Sequence, residues 1–457
     1  MSLGSEIIVA PATLSGGAIA VIRLSGEGSV QLVSEMFRSR RGVDLCSAKG
    51  YTMHYGDIVD GEQIVDDVVL SLFLAPHSYT SEDSVEISCH GSRYIVDRII
   101  DLSVRHGARL ADPGEFTMRA FMSGRIDLSQ AEAVADLIAT TNESTHRMAT
   151  MQLRGGYSTK LHQLRDELVR LCSLVELELD FSEEDVSFAD RTQLRTLIVT
   201  IASAVDRLKR SFKLGNALKN GVRVAIVGSP NAGKSTLLNR LLGEDRAMVS
   251  SIAGTTRDTI EEVLNIGGID YRFVDTAGLH DTADELEQMG IARSLAALRS
   301  AQIVLHVVDG SADMPLQPLQ GVDVEDQRVV LVVNKCDLNM GLDIDASLIG
   351  GYDDVVHISA KGGEGVDELL SILGSSVDMS SLYAGDIVVS NARHYTHLSD
   401  ASSALQRTLE SMDNNLPTDL LAEDLRQTLH HIGRLTGEEI TSQTLLKEIF
   451  SSFCIGK

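Results

Sequence analysis

The feature that most constrains this chain is the segment GSPNAGKST at residues 228–236, which matches the phosphate-binding pattern G-x-x-x-x-G-K-[ST]. It follows the apolar run RVAIV and opens the helix-like run STLLNRLLG. A strand, a glycine-rich loop and a helix in this order direct backbone N–H groups and a helix N-terminus at phosphate oxygens. The segment therefore predicts a nucleotide-binding α/β domain, with Lys234 at the β- and γ-phosphates and Ser235 as a Mg²⁺ ligand.

Two further motifs predict that the base is guanine. NKCD (334–337) ends an apolar run, and Asp337 there can accept hydrogen bonds from N1–H and the exocyclic amine of guanine. Adenine lacks these donors, so it would leave the carboxylate unpaired. Asn334 and Lys335 are expected to pack on the base and brace the loop, and SAK (359–361) is expected to close over the base.

Two more motifs predict contacts with the metal and the γ-phosphate. In VDTAG (274–278), Asp275 would lie beside the metal and the amide of Gly278 near the γ-phosphate, and in GTTRD (254–258) Thr256 would be a second Mg²⁺ ligand. Five motifs in this order, each in a strand-then-loop context, predict a GTPase. The predicted GTP-binding residues are Asn231, Ala232, Gly233, Lys234, Ser235, Thr236, Ser250, Ser251, Ile252, Ala253, Gly254, Thr255, Thr256, Asp275, Thr276, Ala277, Gly278, Asn334, Lys335, Asp337, Ser359, Ala360 and Lys361.

The residue after DTAG departs from the Ras-like pattern. Ras-like enzymes carry a glutamine there that orients the attacking water, whereas this chain has Leu279. Either hydrolysis is weak, or another residue and a cation replace the glutamine. The carboxylates that follow are candidates, although such a run is also typical of a solvated helix start. They are Asp281, Asp284, Glu285 and Glu287.

The segments on either side of the nucleotide motifs have other patterns. Residues 5–120 alternate short β-like runs with one or two helical stretches, which is typical of an α+β domain. From about residue 127 the pattern is helical: Ser129 and Glu132 suggest a capping box, and apolar residues recur at three- and four-residue steps. The two apolar faces are Leu161, Leu164, Leu168, Leu171 and Val175, and Leu420, Leu421, Leu425, Leu429, Ile432 and Leu435.

We therefore predict a multidomain fold. It comprises an α+β N-terminal domain (1–120), an all-α helical-bundle domain (121–215 and 380–457) and an inserted Ras-like α/β P-loop GTPase domain (216–379). Strands that alternate with helices in the inserted segment favour a parallel sheet. Two independent helical pieces are the alternative, but each piece is strongly amphipathic and would need a partner for its apolar face.

Composition limits the partners and the compartment. The formal net charge is −25, and phosphate contacts need Lys and Arg, so an acidic chain that acts on RNA needs a local basic patch or a basic partner. The five scattered cysteines lack CxxC spacing and indicate reduced thiols. No apolar stretch is long enough for a membrane span, and the first residues lack the features of a secretory signal. We expect a cytoplasmic protein.

Longer stretches outside the nucleotide motifs are also recognisable: APATLSGGAIAVIRLSG, PGEFTMRAFMSGRIDLSQAEAVADLI and the terminal FCIGK. Together with the motifs, they resemble the MnmE (TrmE) family of tRNA modification GTPases along the whole chain. The resemblance implies a GTP-hydrolysing enzyme that acts with a flavoprotein, MnmG (GidA). The two would add a carboxymethylaminomethyl-type group to C5 of wobble uridine 34 in certain tRNAs.

The resemblance also implies cofactors and partners. The cofactors would be GTP/GDP, Mg²⁺, K⁺ and a tetrahydrofolate derivative (5-formyl- or 5,10-methylene-tetrahydrofolate) as one-carbon source, while the partner supplies FAD. The protein would be a homodimer through its N-terminal domains, and would form a heterotetramer with MnmG, bind tRNA and not associate with membranes. Its G domains would meet across the dimer on GTP binding.

Site residues follow from the resemblance at matching positions. Glu287 would position the attacking water through a second water, and Cys454 would lie where the one-carbon unit or the uridine arrives. The implied potassium ligands are Asn231, Ser250, Ile252 and Thr255, and the implied folate-binding residues are Arg23, Glu86, Arg125 and Lys457.

Three positions depart from the common family pattern: Ser250 replaces threonine, Arg125 replaces lysine and His280 replaces arginine. An alternative reading is a ribosome-assembly GTPase of the Era or Der type without modification chemistry. An Era-type protein would carry a KH module with a GxxG loop, whereas residues 380–457 have the pattern of amphipathic helices. A scaffold or signalling switch is a third reading, but it gives the N-terminal domain and FCIGK no role.

Overall fold

The computed structural model describes residues 6–180, 191–244, 261–275, 298–312, 327–338, 351–414, 416–437, 450, 453 and 456. Its N-terminal part contains seven strands: β1 (Ile8–Pro11), β2 (Ile19–Ser25), β3 (Phe37–Ser39), β4 (Thr52–Asp60), β5 (Gln63–Phe73), β6 (Ser84–His90) and β7 (Arg109–Leu110). They form one sheet in the spatial order β3-β4-β5-β6-β2-β1-β7. Only β1 and β7 pair in parallel; the other neighbours are antiparallel.

The alternation of side chains gives this sheet two different faces. Ile22, Leu70 and Ile87 are fully buried on the inner face, which packs against helices α1 (Ser29–Met36) and α2 (Arg93–Arg105). We call the opposite side the outer face. The strand register aligns four residues across it, because β2, β6, β5 and β4 are neighbours. They are Arg23, Glu86, Ser71 and Met53.

The helical part follows the first sheet and returns near the C-terminus. Its helices are α3 (Glu115–Met122), α4 (Leu128–Ile138), α5 (Glu143–Leu153), α6 (Gly156–Asp180), α7 (Arg191–Asn220), and later α10 (Ser380–Ala384), α11 (Ala392–Asp413) and α12 (Thr418–Thr436). The apolar face of α6 is confirmed, since all five of its predicted residues are buried. Helix α12 packs against α6. Leu420, however, is 48% exposed and does not belong to the buried face of α12.

The predicted capping box of α4 is wrong by two residues. Asp127, rather than Ser129, caps the helix: its Oδ1 accepts a hydrogen bond from the backbone N–H of Gln130 at 2.9 Å, and Gln130 Oε1 accepts one from the backbone N–H of Asp127 at 3.0 Å. Oδ1 of Asp127 also accepts a hydrogen bond from the hydroxyl of Ser129 at 2.7 Å. Aspartate is as good an N-cap as serine and here satisfies two donors, so the helix begins earlier.

A second sheet contains the nucleotide motifs. Its strands are β8 (Val222–Val227), β9 (Glu261–Ile266), β10 (Ile269–Asp275), β11 (Ile303–Asp309), β12 (Arg328–Asn334) and β13 (Asp354–His357), with helices α8 (Lys234–Glu244) and α9 (Val366–Gly374). The order is β13-β12-β11-β8-β10-β9, and only β9 is antiparallel to its neighbour. Val224, Leu305 and Val330 are fully buried, as expected for a parallel sheet with both faces covered. The predicted fold class is confirmed.

The chain separates into two units. One contains residues Met1–Ala139, Ala149–Ala202 and Asp400–Lys457, and the other contains Thr140–Met148 and Ser203–Ser399. The finer division into four segments stays a prediction. Within the described part of the chain, no helix has both the length and the apolar character that crossing a bilayer requires.

Candidate functional site

The loop between β8 and α8 has a backbone suited to an anion. Gly228, Asn231 and Gly233 have φ values of 150°, 63° and 97°. A Cβ atom on Gly228 would overlap the carbonyl oxygen of Val307, and one on Gly233 would overlap the amide of Asn334. Glycine therefore lets the loop pack tightly at the end of the sheet, where successive N–H groups can face phosphate oxygens.

Lys234 begins α8 and is held over this loop. Its Nζ donates to the carbonyl oxygens of Gly228 at 2.9 Å and Ser229 at 3.0 Å. Ser235, the next residue, is exposed, so its hydroxyl is accessible to a cation, and Mg²⁺ prefers oxygen ligands. Lys234 and Ser235 therefore lie at the loop that the first motif predicts to bind a nucleotide, and their contacts with phosphate and Mg²⁺ stay a prediction.

Asn334 joins two of the predicted motifs. Its side chain is 3% exposed; Nδ2 donates to the carbonyl of Ala232 at 2.7 Å, and Oδ1 accepts from the backbone N–H of Ala360 at 2.9 Å. The amide thus links the phosphate-binding loop to the SAK segment. Both of its polar atoms are paired inside the protein, so its role in the free chain is to brace these loops.

Lys335 has an acidic partner, Asp309, that none of the sequence motifs indicates. Its Nζ lies 2.5 Å from Asp309 Oδ2, and its backbone φ is 65°. Burial of Asp309 opposes ionisation, but hydrogen bonds from Lys335 and Ser311 outweigh it and lower the pKa of Asp309. The sequence contains one indication of Asp309: it lies in VVDG (307–310), which ends an apolar run in the same way as the motifs VDTAG and NKCD do. Asp337, two residues after Lys335, is exposed at the same edge.

Arg240 also contacts the SAK segment, and none of the sequence motifs includes it. It lies on α8, and its Nε donates to the carbonyl of Ala360 at 3.2 Å, while Nη2 donates to that of Lys361. Ser359 is fully buried, and its Oγ accepts from the backbone N–H of Gly362 at 2.9 Å. The SAK segment is therefore fixed from one side by α8 and from the other by Asn334.

The remaining predicted nucleotide residues are only partly described. Asp275 ends β10 and is paired in register with Ile226 of β8, next to the start of the phosphate-binding loop. The predicted residues that lie outside the described part of the chain are Ser250, Ser251, Ile252, Ala253, Gly254, Thr255, Thr256, Thr276, Ala277, Gly278 and Glu287.

A separate cavity opens on the outer face of the N-terminal sheet. Its volume is about 230 Å³, and three of the four predicted folate-binding residues line it. Arg23 Nη2 lies 2.7 Å from Glu86 Oε1, because the antiparallel register places these residues opposite each other. The lining residues are Arg23, Tyr51, Phe73, His77, Ser78, Tyr79, Ser84, Glu86 and Arg125.

Two aromatic rings hold the Arg23 side chain. The guanidinium carbon lies 5.5 Å from the ring centre of Tyr79 and 5.7 Å from that of Phe116, distances that favour cation–π attraction. The Tyr79 hydroxyl is in turn 2.9 Å from Oγ1 of Thr117 on α3. The cavity therefore has a fixed charged wall.

Tyr51 was not found from the sequence. It is 70% exposed and has a φ of 59°, which is unusual for a bulky residue and concentrates at functional positions. Its ring meets that of Phe73 edge-on, with centres 5.8 Å apart and an interplanar angle of 86°. Nothing in the local pattern around Tyr51 signals a binding residue, because the cavity brings it together with distant segments.

The C-terminal segment reaches the same cavity wall. Phe450 is 1% exposed and packs in a cluster with Met118, Leu128 and Ala131. The carbonyl oxygen of Gly456 accepts a hydrogen bond from Arg23 Nη1 at 3.4 Å. Cys454 and Lys457, the other predicted residues of this segment, lie outside the described residues.

Comparison with known proteins gives full-length relatives. One family model, the MnmE helical domain, matches residues 128–454, and another, the GTP-binding protein TrmE N-terminus, matches residues 7–125. A Bacteroides thetaiotaomicron protein named tRNA modification GTPase MnmE is 46% identical over 100% of both chains. A Porphyromonas gingivalis protein of the same name is 48% identical over 100% of this chain and 99% of its own.

Proposed function

The chain belongs to the MnmE (TrmE) family of tRNA modification GTPases, and on that premise we propose that it couples GTP hydrolysis to modification of C5 of wobble uridine 34 in certain tRNAs. The added group is of the carboxymethylaminomethyl type. The observation that carries this proposal is the cavity that Arg23, Glu86 and Arg125 line. A GTPase that acts only as a ribosome-assembly factor or a switch has no use for such a cavity.

The nucleotide domain binds and orients GTP. The loop N–H groups and Lys234 bind the phosphates, Ser235 and Thr256 ligate Mg²⁺, and Asp337 selects guanine. Bound Mg²⁺ supplies charge stabilisation at the phosphates. Asn334 keeps the phosphate-binding loop and the SAK segment at a fixed separation, through its hydrogen bonds to Ala232 and Ala360. Preorganised donors of this kind cost no rearrangement when the nucleotide binds.

Hydrolysis in this protein depends on potassium and Glu287. Leu279 cannot orient water, so we assign that task to Glu287. Asn231, Ser250, Ile252 and Thr255 supply oxygens for K⁺. The left-handed φ of Asn231, 63°, supports this assignment, because it fixes the backbone from which the side chain extends.

The potassium proposal is tested by hydrolysis rates. GTP should be hydrolysed faster in K⁺ than in Na⁺ at equal ionic strength, and Asn231→Gly should remove the difference because glycine keeps the φ and lacks the side-chain oxygen. Glu287→Ala should retain GTP binding and lose most hydrolysis. Equal wild-type rates in the two salts would contradict the cation site, and an active Glu287→Ala variant would remove that residue from the mechanism.

The outer-face cavity binds a tetrahydrofolate derivative, either 5-formyl- or 5,10-methylene-tetrahydrofolate. Glu86 accepts hydrogen bonds from the amino edge of the pterin, while Arg125 and Lys457 attract the glutamate carboxylates. Arg23 keeps the carboxylate of Glu86 in place through contacts of 2.7 and 2.9 Å. A carboxylate and several cations around one cavity suit a ligand with a donor edge at one end and acids at the other. When bound, the folate supplies the one-carbon unit.

The terminal segment brings Cys454 to this cavity. The contact of Gly456 with Arg23 supports an arrangement in which the tail serves the cavity of its own subunit. Phe450 and Phe453 flank Gly114 and anchor the segment on the far side of Cys454. Cys454 comes between Phe453 and Gly456 in the sequence, and the proposal assigns its thiol to the one-carbon unit.

The active assembly is a cytoplasmic homodimer with the FAD-containing partner MnmG (GidA). The dimer forms through the outer face of the N-terminal sheet, where Ile19, Met53 and Tyr55 are 67%, 70% and 53% exposed. Met53 and Tyr55 follow each other on the same face of β4, and neighbouring exposed apolar side chains favour a protein contact. With a net charge of −25, the chain needs a basic partner surface to hold tRNA, because RNA binding rests on contacts of cations with phosphates.

The decisive experiment is nucleoside mass spectrometry of tRNA from cells that lack this gene. We expect the modified wobble uridine to disappear and to return with the wild-type gene. Cys454→Ser should restore GTP hydrolysis in the purified protein but not the nucleoside. Unchanged wobble uridines in the deletion strain would overturn the proposed function, and full rescue by Cys454→Ser would return the thiol to a packing role.

A further inference from the structure

Ser78 lines the outer-face cavity and has a buried hydroxyl without a partner in the described part of the chain. The residue is 3% exposed and lines the cavity. Its Oγ makes no hydrogen bond with any described residue. Buried hydroxyls are nearly always paired, so this one requires an explanation.

The neighbouring hydroxyls are paired, which makes Ser78 distinct. Tyr79 OH pairs with Thr117 at 2.9 Å, and Thr80 Oγ1 lies 2.6 Å from Ser25 Oγ. Ser84, which also lines the cavity, donates to Ser25 Oγ at 3.1 Å. Among the described residues around Ser78, these hydroxyls are paired and that of Ser78 is not.

The loop that carries Ser78 is fixed at both ends. The backbone N–H of Ala75 donates to Asp83 Oδ1 at 2.9 Å, and that of His77 donates to the carbonyl of Leu74 at 2.9 Å. These hydrogen bonds fix the backbone on the N-terminal side of Ser78.

We propose that Ser78 is a ligand-binding residue of this cavity and helps to determine its specificity. Its hydroxyl hydrogen-bonds a ring nitrogen or ring oxygen of the heterocycle whose amino edge pairs with Glu86. This inference rests on the proposed folate function and deepens it. A hydroxyl can donate and accept at once, so Ser78 and the acceptor-only Glu86 together select a heterocyclic edge that offers both kinds of group.

The proposal predicts opposite effects of one substitution on stability and on binding. Ser78→Ala removes an unpaired buried hydroxyl, so the free protein should melt at the same or a higher temperature. The same change removes a hydrogen bond in the complex, so affinity for 5-formyl-tetrahydrofolate should fall about tenfold. A serine that merely packs would leave the affinity unchanged, and a lower melting temperature would show that its hydroxyl is paired in the free protein.

The experiment is calorimetric titration of the full-length protein with 5-formyl-tetrahydrofolate, beside thermal melting of the free protein. Ser88→Ala is the matched control, since Ser88 lies on β6 and is not among the residues that line the cavity; its affinity should stay within about twofold of wild type. Glu86→Gln reports whether the ligand occupies the cavity at all, and should abolish binding.

The outcomes separate this inference from the folate proposal. If Glu86→Gln loses binding while Ser78→Ala keeps wild-type affinity, the role of Ser78 is overturned and the folate site stands. If the wild-type protein does not bind 5-formyl-tetrahydrofolate, the folate proposal fails, and the melting experiment decides on Ser78. An equal or higher melting temperature of Ser78→Ala then supports the unpaired hydroxyl, and a lower one overturns it.

Discussion

At the scale of single residues, Asn334 illustrates how one side chain supports two motifs. The NKCD pattern alone predicts a residue near the base, and the structure adds the hydrogen bonds that link Ala232 to Ala360. No sequence pattern assigns these partners, because they are about 100 and 26 residues away along the chain. The side chain stabilises the loops before any nucleotide is present.

Replacing Asn334 by alanine should therefore destabilise the G domain and weaken nucleotide binding together. Loss of the amide leaves the backbone groups of Ala232 and Ala360 unpaired, which should cost about 1–3 kcal/mol in the free energy of unfolding. GTP affinity should fall at least about tenfold, since the loops lose their fixed separation. Denaturant unfolding and fluorescent-nucleotide titration measure the two effects.

The control for this prediction is Asn265→Ala. Asn265 belongs to the same sheet but is exposed, and its Nδ2 pairs with Asp270 Oδ1 at the surface. This change should leave stability within about 0.5 kcal/mol of wild type and GTP affinity unaltered. If Asn334→Ala behaved like Asn265→Ala, the bracing role would be wrong.

At the scale of elements, the position of the C-terminal segment depends on two glycines. Gly114 has a φ of 67°, and a Cβ there would crowd Phe450 and Phe453; Gly456 has a φ of 92°, and a Cβ there would overlap the carbonyl of Pro11. Phe450 and Phe453 therefore approach the start of α3, and Gly456 approaches the end of β1, because these two glycines lack a side chain. The FCIGK motif draws attention to Gly456 in the sequence. The backbone that Gly456 contacts, at Pro11, is known only from the fold.

Gly456→Ala should displace the segment and uncouple it from the cavity. In cells that carry this variant, the level of wobble-uridine modification should be lower than in wild type by on the order of 100-fold. A displacement of a reacting group by about 1 Å slows a reaction by about that factor. GTP hydrolysis of the purified variant should be unchanged. Nucleoside mass spectrometry and a phosphate-release assay give the two readouts.

Gly385→Ala is the matched control for this change. Gly385 has a φ of 81°, but a Cβ there would meet nothing within 4 Å. It tests the backbone cost of alanine at positive φ without a steric contact. Equal loss of modification in both variants would show that backbone strain, rather than displacement from β1, is responsible.

At the scale of the whole molecule, the two faces of the N-terminal sheet decide what the assembly can be. The inner face is covered by α1 and α2, whereas Ile19, Met53 and Tyr55 remain exposed on the outer face. The proposed dimer would cover these side chains and bring a second copy next to the cavity. Assembly and cofactor binding would then involve one surface.

Met53→Glu should shift the protein from dimer to monomer. A carboxylate in a buried apolar contact must lose its hydration without a partner, which disfavours association. Light scattering coupled to size-exclusion chromatography measures the mass. Tyr94→Glu is the control, because Tyr94 is equally exposed, at 70%, but lies on α2. A Met53→Glu variant that remained dimeric would exclude the outer face as the interface.

The sequence by itself determined the nucleotide class, the family and the buried face of α6. These features are encoded within one element and the loop that follows it, so spacing along the chain is sufficient to detect them. Arg23, Glu86 and Arg125 entered only through the family resemblance, since no local pattern distinguishes them from surface residues.

Only the tertiary structure decided the composition of the cavity. Tyr51 and Phe73 line one cavity with Arg23 and Glu86 because β2, β6, β5 and β4 are neighbours in one register. Ser78 lines it from the loop between β5 and β6, and the carbonyl of Gly456 reaches Arg23 from the other end of the chain. Periodicity shows which side of its own strand a residue faces, and it contains no information about which distant strand lies beside it. Strand order and register follow from packing of the whole sheet, and the cavity follows from them.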